Sequence, residues 1–417
     1  MMKLKNFFFL SALLGIVACQ SNEGIEPPPV ADGHDTPLSE VRSAEDAIEI
    51  ANKVMELLAN TPEQTRNLGM RKVKSVSCVG NQAATRAEEQ DSLLYLINYD
   101  DNLGFALISR SRIARPVYAF SDTGNLSMTD TIHNKGLAMF FEDTFNDLEL
   151  NTASGLNPIV PDPIYIVSQV EPLLDKDVAN WDQEYPFNLS TPEINGEHGV
   201  VGCGPLAVGM LLTYYSYPAA IGSKKINWGS LMNNDYEEIS QYLEALAQPE
   251  YLNAKYRDDK PLFRGTPQDN FKPTFEKLGF NTSYTWDFTK FLDEIKSFMN
   301  FMKQGYPMGA SPLCKAAPVI FYGTCEVEEN GEPIPRAHVW VVDGYIDMGS
   351  QDTIDPDTKE RNPYLHCVWG WGGIANGYFL YSRSKDQGSP IGKDGEDCTY
   401  TFRNYMMVGR LGIPTSN

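Results

Sequence analysis

The chain has 417 residues, 42% of them hydrophobic, with a formal net charge of −21. That length and apolar content suffice for two domains with their own cores. So acidic a chain has no basic surface for phosphates, which argues against nucleic acid as a partner; the charge serves solubility.

The first element is an export signal. Residues 1–5 are short and basic, residues 7–17 are apolar, and Ile16-Val17-Ala18-Cys19 matches a bacterial lipobox. The apolar run is too short to span a membrane well. Residues 1–18 are expected to be a lipoprotein signal peptide and Cys19 the lipidated first residue of the mature chain. Residues 19–38, rich in Pro and acid, would form a tether to a membrane lipid anchor at the cell surface or periplasmic face. The plainer alternative is an ordinary cleaved signal and secretion.

Residues 43–59 predict an amphipathic helix: Ser43 with Asp46 resembles a capping box, and Ala47, Ile50, Val54 and Leu58 share a face. Residues 94–109 predict a hairpin turning at Asp100, Asp101, Asn102 and Gly104. A strand is expected from Val117 to Phe120, then a helix over 135–148 with Leu137, Phe140, Phe141, Phe145 and Leu148 apolar. These elements make a small α+β unit, residues 39–150, without a catalytic cluster. Residues 151–170 open on a Pro-rich stretch and read as an exposed linker; residues 171–417 form the second domain.

In that domain, "GCGPLAVGMLLTYY" places Cys203 between glycines at the start of a helix that is apolar on nearly all sides. Pro205 suits a first turn, where its missing N–H costs nothing. A thiol at a helix N-terminus has its thiolate favoured and its nucleophilicity raised; the bland reading is a buried structural cysteine. A thiolate nucleophile needs a base, and the chain has five histidines: His34, His133, His198, His338 and His366. His338 opens the apolar run 339–342, which reads as a buried strand and a rigid support. His366 is the next candidate. The remaining cysteines (Cys78, Cys314, Cys325, Cys367 and Cys398) show no metal-ligand spacing, so no metal or organic cofactor is expected; Cys314 with Cys325 is one conceivable disulfide, and the connectivity is open. Further along, residues 273–280 and 291–305 are helix candidates and 307–313 a strand.

Four blocks in one order carry a family resemblance: "WDQEYPFN" (181–188), "GCGPLAVGMLLTYYSYP" (202–218), "AHVWVVDGY" (337–345) and "VWGWGGIANGYF" (368–379). Together they resemble the streptopain family of papain-like cysteine peptidases, and "LGFALISRSRIARPVYAFSDTG" resembles that family's propeptide. The resemblance implies an α+β, papain-like peptidase: a helical subdomain carrying the cysteine, an antiparallel sheet carrying the histidine, and a small α+β propeptide domain in front. It implies Cys203 as nucleophile, His338 as its partner, Gln183 as oxyanion donor and Trp369 beside the imidazole, with Gly370, Gly372 and Gly373 shaping the loop. The backbone N–H of Cys203 would be a second oxyanion donor. It also implies protein or peptide substrates, the propeptide as intramolecular inhibitor, and activation by cleavage in 151–170. One departure is Val368, where the family often has Asn; a backbone carbonyl must then orient the imidazole. A non-catalytic surface lipoprotein using this fold for binding is the competing expectation, and an amidase or transglutaminase with the same dyad is a third.

Overall fold

In a computed structural model the structure describes residues 41–59, 71–80, 92–132, 134–153, 165–256, 263–285, 318–329, 332–349, 362–380 and 401–410. The signal peptide, Cys19, the tether, most of the linker, the helix expected at 291–305, the strand expected at 307–313, Cys314 and Cys398 lie outside them.

Helix α1 (Ala44–Leu58) begins at the Ser43 cap. The Ser43 hydroxyl accepts from the Asp46 N–H at 3.1 Å, and the Asp46 carboxylate accepts from the Ser43 N–H at 3.3 Å. Its apolar face packs on an antiparallel meander, β1 (Val73–Val79), β2 (Leu94–Tyr99), β3 (Phe105–Ser109) and β4 (Val117–Ser121). Helix α2 (Lys135–Ala153) outruns its expected end by five residues and buries Leu137, Phe140, Phe141, Phe145 and Leu148. Each such side chain is worth about 1.5–3 kcal/mol when fully removed from water.

The chain then runs through β5 (Tyr165–Val170) into a helical region. Helix α3 (Cys203–Tyr215) is buried from Gly204 to Thr213. Helix α4 (Tyr236–Ala247) crosses it where Gly209 has no side chain: a Cβ there would lie 2.5 Å from Leu243, and the Tyr242 hydroxyl donates to the Gly209 carbonyl at 3.0 Å. Helix α5 (Phe271–Lys277) and β6 (Phe280–Thr285) follow, so the helix expected over 273–280 ends before its last residue. Next come β7 (Val319–Glu329), β8 (Glu332–Gly349), β9 (Asn362–Val368), β10 (Gly377–Leu380) and β11 (Thr401–Arg410).

The strands form one sheet in the order β1-β2-β3-β4-β10-β9-β8-β7-β11-β6, with β5 taking over an edge of β8 above Val342. The N-terminal meander thus joins the second half through a single strand pair, β4 with β10, in which Phe120 faces Tyr378 and Ala119 faces Phe379. Two cores cover the two sides of the central strands. Val339, Val341, Val368 and Ile320 face α3 and α4. Trp340, Val342 and Phe321 face the other way, into the core shared with α1 and α2. Residues one apart on β8 therefore serve different halves of the molecule.

Candidate active site

Cys203 is the first residue of α3. The turn into it is made by Gly202 at φ 88°, a left-handed conformation that a side chain would strain. The backbone N–H groups of Val339, Cys203 and Gly204 all favour the thiolate, yet burial outweighs them and pushes the thiol up to about 11. The lowered thiol pKa expected from the helix terminus is therefore not a property of this conformation. Removing the sulfur from water costs its charged form more than three amide dipoles return.

His338 sits within β8 rather than opening a strand, since the ladder with β7 starts at Glu332. Only 3% exposed, it shares the Trp340 face: the two rings stack at 6.0 Å and 14°. Its Nε2 lies 3.0 Å from the Trp369 carbonyl. A carbonyl only accepts, so Nε2 carries the proton and Nδ1 is left as the basic lone pair. Val368 packs with the α3-side core, and the neighbouring backbone carbonyl holds the imidazole in its stead. Burial drives the His338 pKa down to about 4; the Trp369 carbonyl opposes this and the Lys135 charge adds to it.

The same imidazole is covered by the start of α2. A Cβ on Gly136 would fall 2.5 Å and 2.6 Å from the Trp369 ring and 2.7 Å from His338 Cδ2. Asn134 caps this helix, its side-chain oxygen accepting from the Leu137 N–H at 2.9 Å. With His338 on the Trp340 face and Cys203 against the Val339 N–H, no hydrogen bond joins thiol and imidazole among the described residues. Burial thus favours the protonated thiol and the neutral imidazole.

Gln183 is 4% exposed and donates to the Gly370 carbonyl at 3.4 Å. Its own carbonyl accepts from the Val201 N–H at 2.8 Å, tying it to the turn before Cys203. The Gly370–Asn376 loop is sewn to the same segment. Gly372 N–H donates to the Trp181 carbonyl at 3.2 Å, and Asn376 donates to the Ala179 carbonyl at 2.9 Å while accepting from the Trp369 N–H at 3.1 Å. Trp369 is fully buried, its indole N–H donating to the Ala375 carbonyl at 3.0 Å.

His366 has a different occupation. Its Nδ1 lies 2.6 Å from Asp343 Oδ1, and Asp343 Oδ2 accepts from the Leu174 N–H at 3.0 Å. His198 stands on a short hairpin, bonded to the Thr191 carbonyl at 2.9 Å. His34 and His133 fall outside the described residues. Cys78 and Cys367 are free thiols, and burial raises the Cys367 thiol well above its ordinary range. Among the described residues no cluster of three His, Cys, Asp or Glu side chains is arranged to hold a metal ion.

The sequence had named Cys203, His338, Gln183 and Trp369; it had not named Trp340, Gly136 or Asp343. Trp340 was legible, because a residue two along a strand from His338 must share its face. Gly136 carried no local signal, since its contact is with residues some two hundred positions away.

Comparison with known proteins follows this division. Residues 36–147 match the Spi protease inhibitor family, and residues 181–256 and 276–379 match the Peptidase C10 family. Streptopain of Streptococcus pyogenes is 21% identical over 330 residues, covering 70% of this chain and 74% of streptopain. The thiol protease/hemagglutinin PrtT of Porphyromonas gingivalis is 22% identical over 352 residues, covering 78% of this chain and 37% of PrtT. Among solved structures, a fragment of Prevotella intermedia prointerpain A superposes with a TM-score of 0.49 at 16% identity, over 80% of this chain and 98% of the fragment. The second half of the chain matches the Peptidase C10 family and resembles streptopain, and the chain is a cysteine peptidase preceded by an inhibitor-type propeptide domain.

Proposed function

We propose that the protein is an exported, lipid-anchored zymogen whose peptidase half cleaves peptide bonds in proteins through Cys203 and His338. The observation that carries this reading is the Nε2–H bond of His338 to the Trp369 carbonyl, which leaves Nδ1 as the base on the residue next to Val339, whose N–H meets the thiol.

Once α2 no longer covers the imidazole, Nδ1 takes the Sγ proton. The thiolate attacks the scissile carbonyl carbon, and Gln183 stabilises the oxyanion, an interaction worth about 3 kcal/mol of barrier in comparable enzymes. The proton on Nδ1 passes to the leaving nitrogen, whose bond to carbon breaks and leaves a thioester on Cys203. Water, deprotonated by the same Nδ1, attacks the thioester; the acid is released and the proton returns to sulfur. In the uncut chain burial disfavours both charged forms, and among the described residues no hydrogen bond joins the two side chains, which supports latency until the linker within 151–170 is cut.

Cys203→Ala is expected to lose all peptidase activity in linker-cut protein while keeping the wild-type circular dichroism spectrum; a folded, pure variant that still cleaves peptides would sink the assignment. Cys19→Ser is expected to shift the protein from the membrane fraction to the soluble one, and an unchanged distribution would remove the lipid anchor from the proposal.

A further inference from the structure

The proton on His338 must reach the leaving nitrogen, so the substrate chain beyond the scissile bond has to run off on the imidazole side, over Trp369 and the loop that follows it. That loop and the segment before the oxyanion donor are one ledge, joined by the Gln183–Gly370, Gly372–Trp181 and Asn376–Ala179 hydrogen bonds. Two large side chains stand on it. Tyr185, two residues past Gln183, is 78% exposed, and Ile374, two residues past Gly372, is 51% exposed. They are two of the five large exposed hydrophobics among the described residues. Hydrophobic exposure at a single position is ordinary, but here one hydrogen-bonded support carries two such side chains. The propeptide is not that partner: its helix α2 comes down on His338 and Trp369 at Gly136 and leaves Tyr185 and Ile374 open.

We propose that Tyr185 and Ile374 form the subsite for the leaving segment of the substrate and select peptides with an apolar side chain one or two residues past the cut. This rests on the Cys203–His338 reading, which fixes the direction in which the leaving chain runs. Gly136 reaches within contact of both the Trp369 and His338 rings, so in the uncut chain helix α2 covers the imidazole side on which the leaving chain would run.

The test compares linker-cut wild type with Ile374→Asp and Tyr185→Ala on three substrates sharing one acyl side: a peptidyl coumarylamide, which has no residues past the cut, and two quenched peptides carrying Leu or Asp at both positions past it. Wild type is expected to prefer Leu over Asp. Each variant is expected to lower the ratio of kcat/KM for the Leu peptide to that for the coumarylamide by roughly tenfold; Ile374→Val should restore it. An unchanged ratio overturns the proposal. So does an equal fall on all three substrates, because the ledge would then be acting on Gln183 and Trp369 rather than on the leaving segment. Wild type inert on every substrate would overturn the Cys203–His338 reading, and the subsite with it.

Discussion

His338 and His366 lie on adjacent strands of one sheet, both largely buried, and their partners make them different tools. His338 donates to a neutral carbonyl, so its ring stays neutral and keeps a free lone pair. His366 donates to a carboxylate buried to 1% exposure that also receives a backbone N–H from Leu174. The first arrangement leaves a group that can accept a proton and give it back. The second is a clasp, fastening the segment after β5 to the sheet. The two partners, a neutral carbonyl and a buried carboxylate, are what set the two rings apart.

The sharpest way to break this comparison is to delete each ring. His338→Ala is expected to lower kcat/KM of the linker-cut enzyme by about a thousandfold or more, the scale of a lost acid–base group. His366→Ala is expected to stay within about threefold while losing about 1–3 kcal/mol of stability in denaturant titrations, because Asp343 is left buried without one of its hydrogen-bond donors. An inactive, folded His366→Ala beside an active His338→Ala would exchange the two roles.

A smaller effect should follow from Gly136→Ala. The new methyl falls against the Trp369 and His338 rings, so α2 has to back away; overpacking of this kind costs about 1–3 kcal/mol. Uncut protein carrying it should react with an epoxide thiol inhibitor at Cys203 roughly tenfold faster than wild type. Equal labelling rates would mean that contact at Gly136 does not keep the site closed.

The mildest test is pH. In the uncut protein His338 titrates at about 4 instead of its usual 6.5. Between those values the unfolded chain binds a proton that the folded chain refuses. The stability from this group is complete above about pH 6.5 and drains away as the pH falls towards 4. Cys203, raised from 9.0 to about 11, keeps its proton longer in the folded state, so its contribution is lost as the pH rises from about 9 to 11. The melting temperature should plateau between these windows, and His338→Gln should fall less steeply on the acid side than wild type. Parallel curves for the two proteins would detach the acid slope from His338.

Much of this was legible in the chain. The Ser43 capping box, the hairpin at Asp100–Asn102 and the apolar run after Cys203 write their elements locally, through periodicity and turn chemistry. Strand β1 was not read, because Lys74, Ser75 and Ser77 give it a largely exposed edge with little apolar alternation. The early start of β8 was hidden by Pro333 and Pro335, which lack the N–H that a central strand uses. The site residues could be named, but their latent arrangement could not: it depends on which face of β8 each side chain takes and on a helix that arrives from far upstream.

The join between the halves has one more consequence. Only two residue pairs of β4 and β10 connect the propeptide sheet to the peptidase sheet, while Phe120 stacks on Tyr378 at 5.2 Å and Phe140 meets Phe379 at 4.8 Å. Were the propeptide to depart, the fully buried strand Gly377–Leu380 would become a sheet margin with free amides, carbonyls and bare aromatic rings. Open margins of that kind recruit further strands and drive proteins out of solution. Its length of four residues would limit that hazard.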